Sequence, residues 1–110
     1  MTDQTIEEGK TLALVSYAWL IGVVVAYYLN NDKKNKFTYF HIRQSLGLWL
    51  TFWAVGLIIS NFDIVLLRLS FWMFFGVLFI YSFITASTGK AYPIPLVGKF
   101  YQKLFAGLGK

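Results

Sequence analysis

The sequence predicts an all-α integral membrane protein: three transmembrane helices, the second and third forming a tight antiparallel hairpin, followed by a C-terminal amphipathic interfacial helix. Three observations predict it. Of the 110 residues, 57% are hydrophobic and 14% charged, against about 45–50% and about 25% in a soluble domain. The charges cluster, leaving uncharged runs at residues 11–31, 44–62 and 69–89 of 19 to 21 residues each. A helix rises about 1.5 Å per residue and the hydrocarbon core is about 30 Å thick, so each run is long enough to cross. Residues 20–26 are apolar all round, with no polar face for a soluble bundle to turn outward.

One membrane domain over residues 1–110 follows, with spans at about 11–29, 40–61 and 64–87 and an interfacial helix at about 95–106. The segment before the first span carries Asp3, Glu7 and Glu8 where a secretory signal is basic, so that span is expected to remain in the mature chain. Within it Ala18, Gly22 and Ala26 recur every fourth residue and leave a face with almost no side chain, open to close helix approach. The approaching helix is either one of the protein's own or another membrane protein's, including a second copy.

The polar loop that follows holds Lys33, Lys34 and Lys36, each able to attract anionic lipid headgroups by about 1 kcal/mol. Nucleic acid is excluded as the partner, because a net charge of +5 spread over juxtamembrane patches is what membrane topology produces anyway. Thr38 is the expected N-cap of the second helix. Along that helix His41, Gln44, Gly47 and Thr51 share a face, a weakly polar seam that belongs toward the bundle interior because unpaired polar groups are costly at membrane depth. The seam either bridges helix ends or gives His41 a proton or ligand role. Arg43 points elsewhere, toward phosphates.

Ser60, Asn61 and Phe62 end the second helix and Asp63 is expected to cap the third. Arg68 falls close enough to the interface to snorkel. Phe71, Phe75, Phe79 and Phe83 recur at every fourth position, as do Trp49 and Trp53, forming packing or lipid-facing stripes. Pro93 and Pro95 then stop helical continuation, and a short helix begins with apolar Leu96, Phe100, Leu104 and Leu108 on one side and Lys99 and Lys103 on the other. Lys99 and Lys103 are thereby further candidates for lipid headgroups.

Three spans put the ends on opposite faces. Eight basic residues then share the side of the 33–36 loop and the tail, while Lys10 and Arg68 lie opposite, which predicts a bacterial inner-membrane protein with its amino terminus outside and its carboxyl terminus in the cytoplasm. The chain has no cysteine, one histidine and no carboxylate within the uncharged runs, and its nine glycines form no phosphate loop. No catalytic residue, cofactor or metal site is therefore expected.

The string Phe40, His41, Ile42, Arg43, Gln44 opening a span, followed about fifty residues on by Gly89, Lys90, Tyr92, Ile94, Pro95, Leu96 and Gly98, resembles a group of small bacterial membrane proteins. That group is similar to the plastid inner-envelope protein-import component, the Tic-twenty-like group, and the likeness runs from residue 12 to 105. It implies an inner-membrane helical hairpin in which Phe40, His41 and Gln44 are characteristic positions, and it brings no catalytic or transport residue. Residues and resemblance together predict a noncatalytic accessory or assembly subunit of a larger membrane complex. The alternatives are a homo-oligomeric translocation or channel component and a lipid-responsive sensor.

Overall fold

The computed structural model describes residues 2–108. Thr2 caps the first helix, α1 (Asp3–Ala18), by accepting from the Thr5 amide through its hydroxyl. At Trp19 the backbone turns extended (φ −169°, ψ 164°), and a second helix, α2 (Leu20–Lys33), starts in a new direction. Lys34 ends α2 in the left-handed region at φ 49°, its amide closing on Asn30 O at 2.7 Å. Asn35 then caps α3 (Lys36–Ile59). After a short turn come α4 (Val65–Ser87), Gly89 at φ +78°, the proline segment, and α5 (Gly98–Leu104).

Several expectations are corrected. The uncharged run 11–31 does not form one helix, because the chain folds back at Trp19. Among the described residues, only α3 and α4 are long and apolar enough to cross a membrane. At 16 and 14 residues, α1 and α2 extend about 24 and 21 Å, short of a bilayer core. Asn35, not Thr38, caps α3: its Oδ1 accepts the Thr38 amide at 3.1 Å, and Thr38 lies one turn inside. Asp63 caps nothing, since α4 starts after Ile64 without a side-chain cap. The last helix is shorter than expected at both ends, because Pro95 sits in a turn before it.

Close contacts fix the directions. A Cβ on Gly22 would overlap the carbonyl of Val15, so α2 runs back along α1. At the other end of this pair Asn35 Nδ2 donates to Thr5 O at 2.8 Å, and Thr38 Oγ1 donates to Gly9 O at 3.0 Å. Asn30 and Asn35 exchange two 3.1 Å bonds that close the corner between α2 and α3. Phe52 stacks on Phe71, Trp49 packs against Phe79, and Gln44 reaches Ser82, so α3 and α4 run antiparallel.

The start of α1, the α2–α3 corner, the end of α4 and α5 thus gather at one end, and the 60–64 turn lies at the other. A Cβ on Gly89 would touch Ile6 and Lys10, and Arg43 reaches the carbonyl of Leu108. Both described ends of the chain are therefore together, whereas the three-span reading sets them on opposite faces. The reason is the fold-back at Trp19, which replaces one crossing by a pair of short helices.

The core divides accordingly. Leu12, Val23, Ala26, Tyr39 and Ile42 fill the space among α1, α2 and α3. Ala13, Tyr17, Phe37, Leu48, Phe75, Leu78 and Tyr101 fill the space among α1, α3, α4 and α5. The aromatic stripe on α4 begins buried at Phe71 and Phe75 and ends exposed at Phe83, because four residues turn about 400° and each step drifts about 40° around the helix.

Candidate functional site

One buried polar network joins four segments of this apolar chain near the basic end. His41 and Gln44 lie on the inner face of α3, and both are fully buried, as is Ser82 of α4. His41 Nε2 lies 3.0 Å from the carbonyl of Lys90. A carbonyl only accepts, so Nε2 carries the proton, and in the neutral ring Nδ1 is left as acceptor. The Tyr17 hydroxyl, 2.6 Å from Nδ1, donates to it. That phenol oxygen accepts in turn from Gln44 Nε2 at 2.9 Å. Gln44 Nε2 also approaches Ser82 Oγ at 3.5 Å, and Ser82 donates to Leu78 O at 2.8 Å. The other end of the amide, Gln44 Oε1, accepts the Ile94 amide at 2.8 Å.

The direction of donation is consistent along the whole chain of groups, from Gln44 through Tyr17 and His41 to Lys90. Both ring nitrogens of His41 are occupied, so the imidazole has no free position for a metal ion. Among the described residues no three His, Cys, Asp or Glu side chains come together as a metal-ion group. Phe37 and Phe40 pack edge-on against the His41 ring at 4.7 and 5.2 Å, excluding water from two sides. What the arrangement does chemically is to tie α1, α3, α4 and the proline segment together through groups that would otherwise be orphaned in an apolar interior.

A second contact fixes α5. Gly47 leaves room for the Tyr101 ring, which a Cβ there would overlap. The Tyr101 hydroxyl meets Thr51 Oγ1 at 2.6 Å. Burial pushes the Tyr101 phenol above its ordinary value, and the bond to Thr51 opposes this. Of the seam, then, His41 and Gln44 share one network while Thr51 serves another.

The other sequence-predicted residues fall as follows. Ala18 closes α1 on the exposed side, Gly22 packs against the α1 backbone, and Ala26 is buried against the cluster around Ile42. The three do not share a helix, because Trp19 divides them. Lys33, Lys34 and Lys36 are exposed at the α2–α3 corner, and Lys99 and Lys103 are exposed on α5. Arg43 is directed onto the C-terminal segment, its Nε donating to Leu108 O at 2.8 Å and Nη1 to Gln102 Oε1 at 3.4 Å. Gln102 Nε2 completes the link by donating to Phe40 O at 2.9 Å.

Sequence reasoning missed Tyr17, Ser82, Tyr101 and Asn35 as members of these networks. Tyr17 and Ser82 sit singly inside apolar runs, with no periodic signal to separate an inward hydroxyl from an outward one. The backbone partners at Lys90 and Ile94 did carry a signal. They lie in the second of the two motifs noted above, and His41 and Gln44 lie in the first.

Comparison with known proteins corrects the resemblance drawn from those motifs. No curated protein and no solved structure matches this chain. The matching family model is not that of the plastid import component, and no import function comes with it. The two motifs mark a packing contact, His41 on Lys90 and Gln44 on Ile94. The match covers residues 8–101, and its description is the magnetosome magnetite crystal formation protein family.

Proposed function

Because this chain belongs to the MamF/MmsF family of magnetosome magnetite crystal formation proteins, we propose that it is a noncatalytic membrane protein that supports magnetite crystal formation as an accessory or assembly subunit. One observation supports this reading above the others. The polar side chains of the network, Tyr17, His41, Gln44 and Ser82, are buried and bonded to one another, while large apolar side chains such as Leu57, Leu66, Met73, Val77 and Ile80 cover the outside of α3 and α4. Polar groups that hold helices together are not available to a substrate, so the protein acts through its surfaces, in lipid and against other components of that membrane.

In this reading α3 and α4 cross the bilayer as an antiparallel hairpin. The α1–α2 pair enters from the basic end and returns to it, packing on about half the length of the crossing helices. Of the described basic residues, Lys10, Lys33, Lys34, Lys36, Arg43, Lys90, Lys99 and Lys103 belong to that end and Arg68 alone to the other, so the basic end, with both described chain ends, faces the cytoplasm.

Deletion of the gene in a magnetite-forming host tests the function. Crystals measured by electron microscopy are expected to change in size or shape and to recover when the intact gene is restored. Crystals unchanged in number, size and shape would refute the reading.

A further inference from the structure

The α1–α2 pair leaves the turn-proximal half of α3 and α4 as a bare two-helix ribbon, and an open groove runs along it. The cavity has a volume of about 510 Å³ and is lined by Phe52, Trp53, Gly56, Leu57, Phe71 and Trp72, with Ser60 and Arg68 at its rim. Its floor is the stacked pair Phe52 and Phe71, 5.2 Å between ring centres, and Gly56 deepens it where a side chain would meet Phe71. Trp53 and Trp72 form the walls, 49% and 62% exposed. Neither α1, α2 nor α5 contributes to the lining.

The rim decides what such a groove takes. Arg68 stands in the first turns of α4, at the end where the other described basic residues are absent. Positive charge is depleted there by topology, so an arginine at the mouth of an apolar groove is out of pattern. Its guanidinium lies 3.9 Å from Asp63 Oδ1, too far for a hydrogen bond, and the Asp63 side chain is fully exposed. The planar fork therefore keeps donors for a second anion, and a phosphate suits its bidentate geometry. At this depth the chain surrounding the groove is hydrocarbon, and the anion within reach of Arg68 is a lipid phosphate at the interface.

We infer that this groove is a binding site for one anionic phospholipid of the leaflet opposite the basic end, with an acyl chain between Trp53 and Trp72 and the headgroup phosphate on Arg68. The site goes beyond the proposed role in crystal formation and rests only on α3 and α4 lying in a bilayer.

Native mass spectrometry of the full chain in mild detergent tests it, with dioleoylphosphatidylglycerol and dioleoylphosphatidylcholine as probes. One phosphatidylglycerol is expected to stay bound in preference to phosphatidylcholine. R68Q is expected to lower its retention about tenfold and R68K by less, because lysine keeps the charge but loses the fork. K10Q, which removes a charge at the opposite end from an exposed pair with Glu7, is expected to leave it unchanged. Retention unaltered in R68Q, equal retention of both lipids, or a dimer mass in which a second copy displaces the lipid would each overturn the inference. Carbonate washing of membranes reports separately on the bilayer reading, because a chain that stays in the pellet yet fails these tests loses only the lipid site.

Discussion

Gln44 is the residue on which the interior depends most, since one amide serves α1, α4 and the proline segment at once. Gln44→Leu keeps the volume but leaves the Ile94 amide without an acceptor and removes a donor from Tyr17. The expected cost is about 1–3 kcal/mol, the desolvation penalty of an orphaned buried group, seen as a lower thermal midpoint in detergent. An unchanged midpoint would show that the network does not hold the fold. Gly47 is the second such point. Gly47→Val places a branched side chain where the Tyr101 ring lies, and the expected readout is faster protease cleavage between residues 90 and 104 with α3 and α4 intact. If cleavage there stays at the wild-type rate, α5 is held by something other than this contact.

At the scale of elements, the break at Trp19 changes what a run of apolar residues means. A charge-free run licenses a crossing by length alone, but α1 and α2 divide that run and lie against one another. This arrangement has a direct consequence for labelling. Single cysteines introduced as Thr2→Cys and Lys103→Cys are expected to react with a membrane-impermeant maleimide from the same side, and Asn61→Cys from the opposite side. Labelling of positions 2 and 103 from opposite sides would restore three crossings and refute the paired arrangement of α1 and α2. The cap of α3 belongs to the same scale. Asn35 both caps α3 and clasps the α1 backbone at Thr5, so Asn35→Ala is expected to destabilise by about 1 kcal/mol or more and to expose the amino-terminal segment to protease first. Equal protection of that segment in the variant would count against the clasp.

The whole molecule is polarised. Its described cations other than Arg68 collect around one end, while exposed apolar side chains run along α2, α3 and α4. Neutralising Lys33, Lys34 and Lys36 together removes three charges from the end already richest in them, and the expected outcome is a mixed population in the labelling experiment above. A single unchanged orientation would show that Lys10, Lys90, Lys99 and Lys103 suffice. In membranes from the native host the protein is expected to resist carbonate extraction, and release by carbonate would remove the basis of the bilayer reading altogether.

The all-helical class, the two long apolar helices and the inward face carrying His41 and Gln44 were legible in the sequence, because each is a local property. Charge-free length, side-chain periodicity and the cost of a polar group in hydrocarbon can be read along one strand of text. The fold-back at Trp19 was not, since nothing in that stretch breaks a helix by composition, and the turn is favoured only by what Gly22, Ala26 and Asn30 touch afterward. The same holds for Tyr17, Ser82 and Tyr101, whose hydroxyls gain meaning from partners 24 to 50 residues away. Sequence alone determined the helical class and the two long apolar helices, because helix propensity and apolar length sum over neighbouring residues. Tertiary structure decided which polar groups meet and on which side the ends lie, because a hydrogen bond depends on a distance that only the folded chain sets.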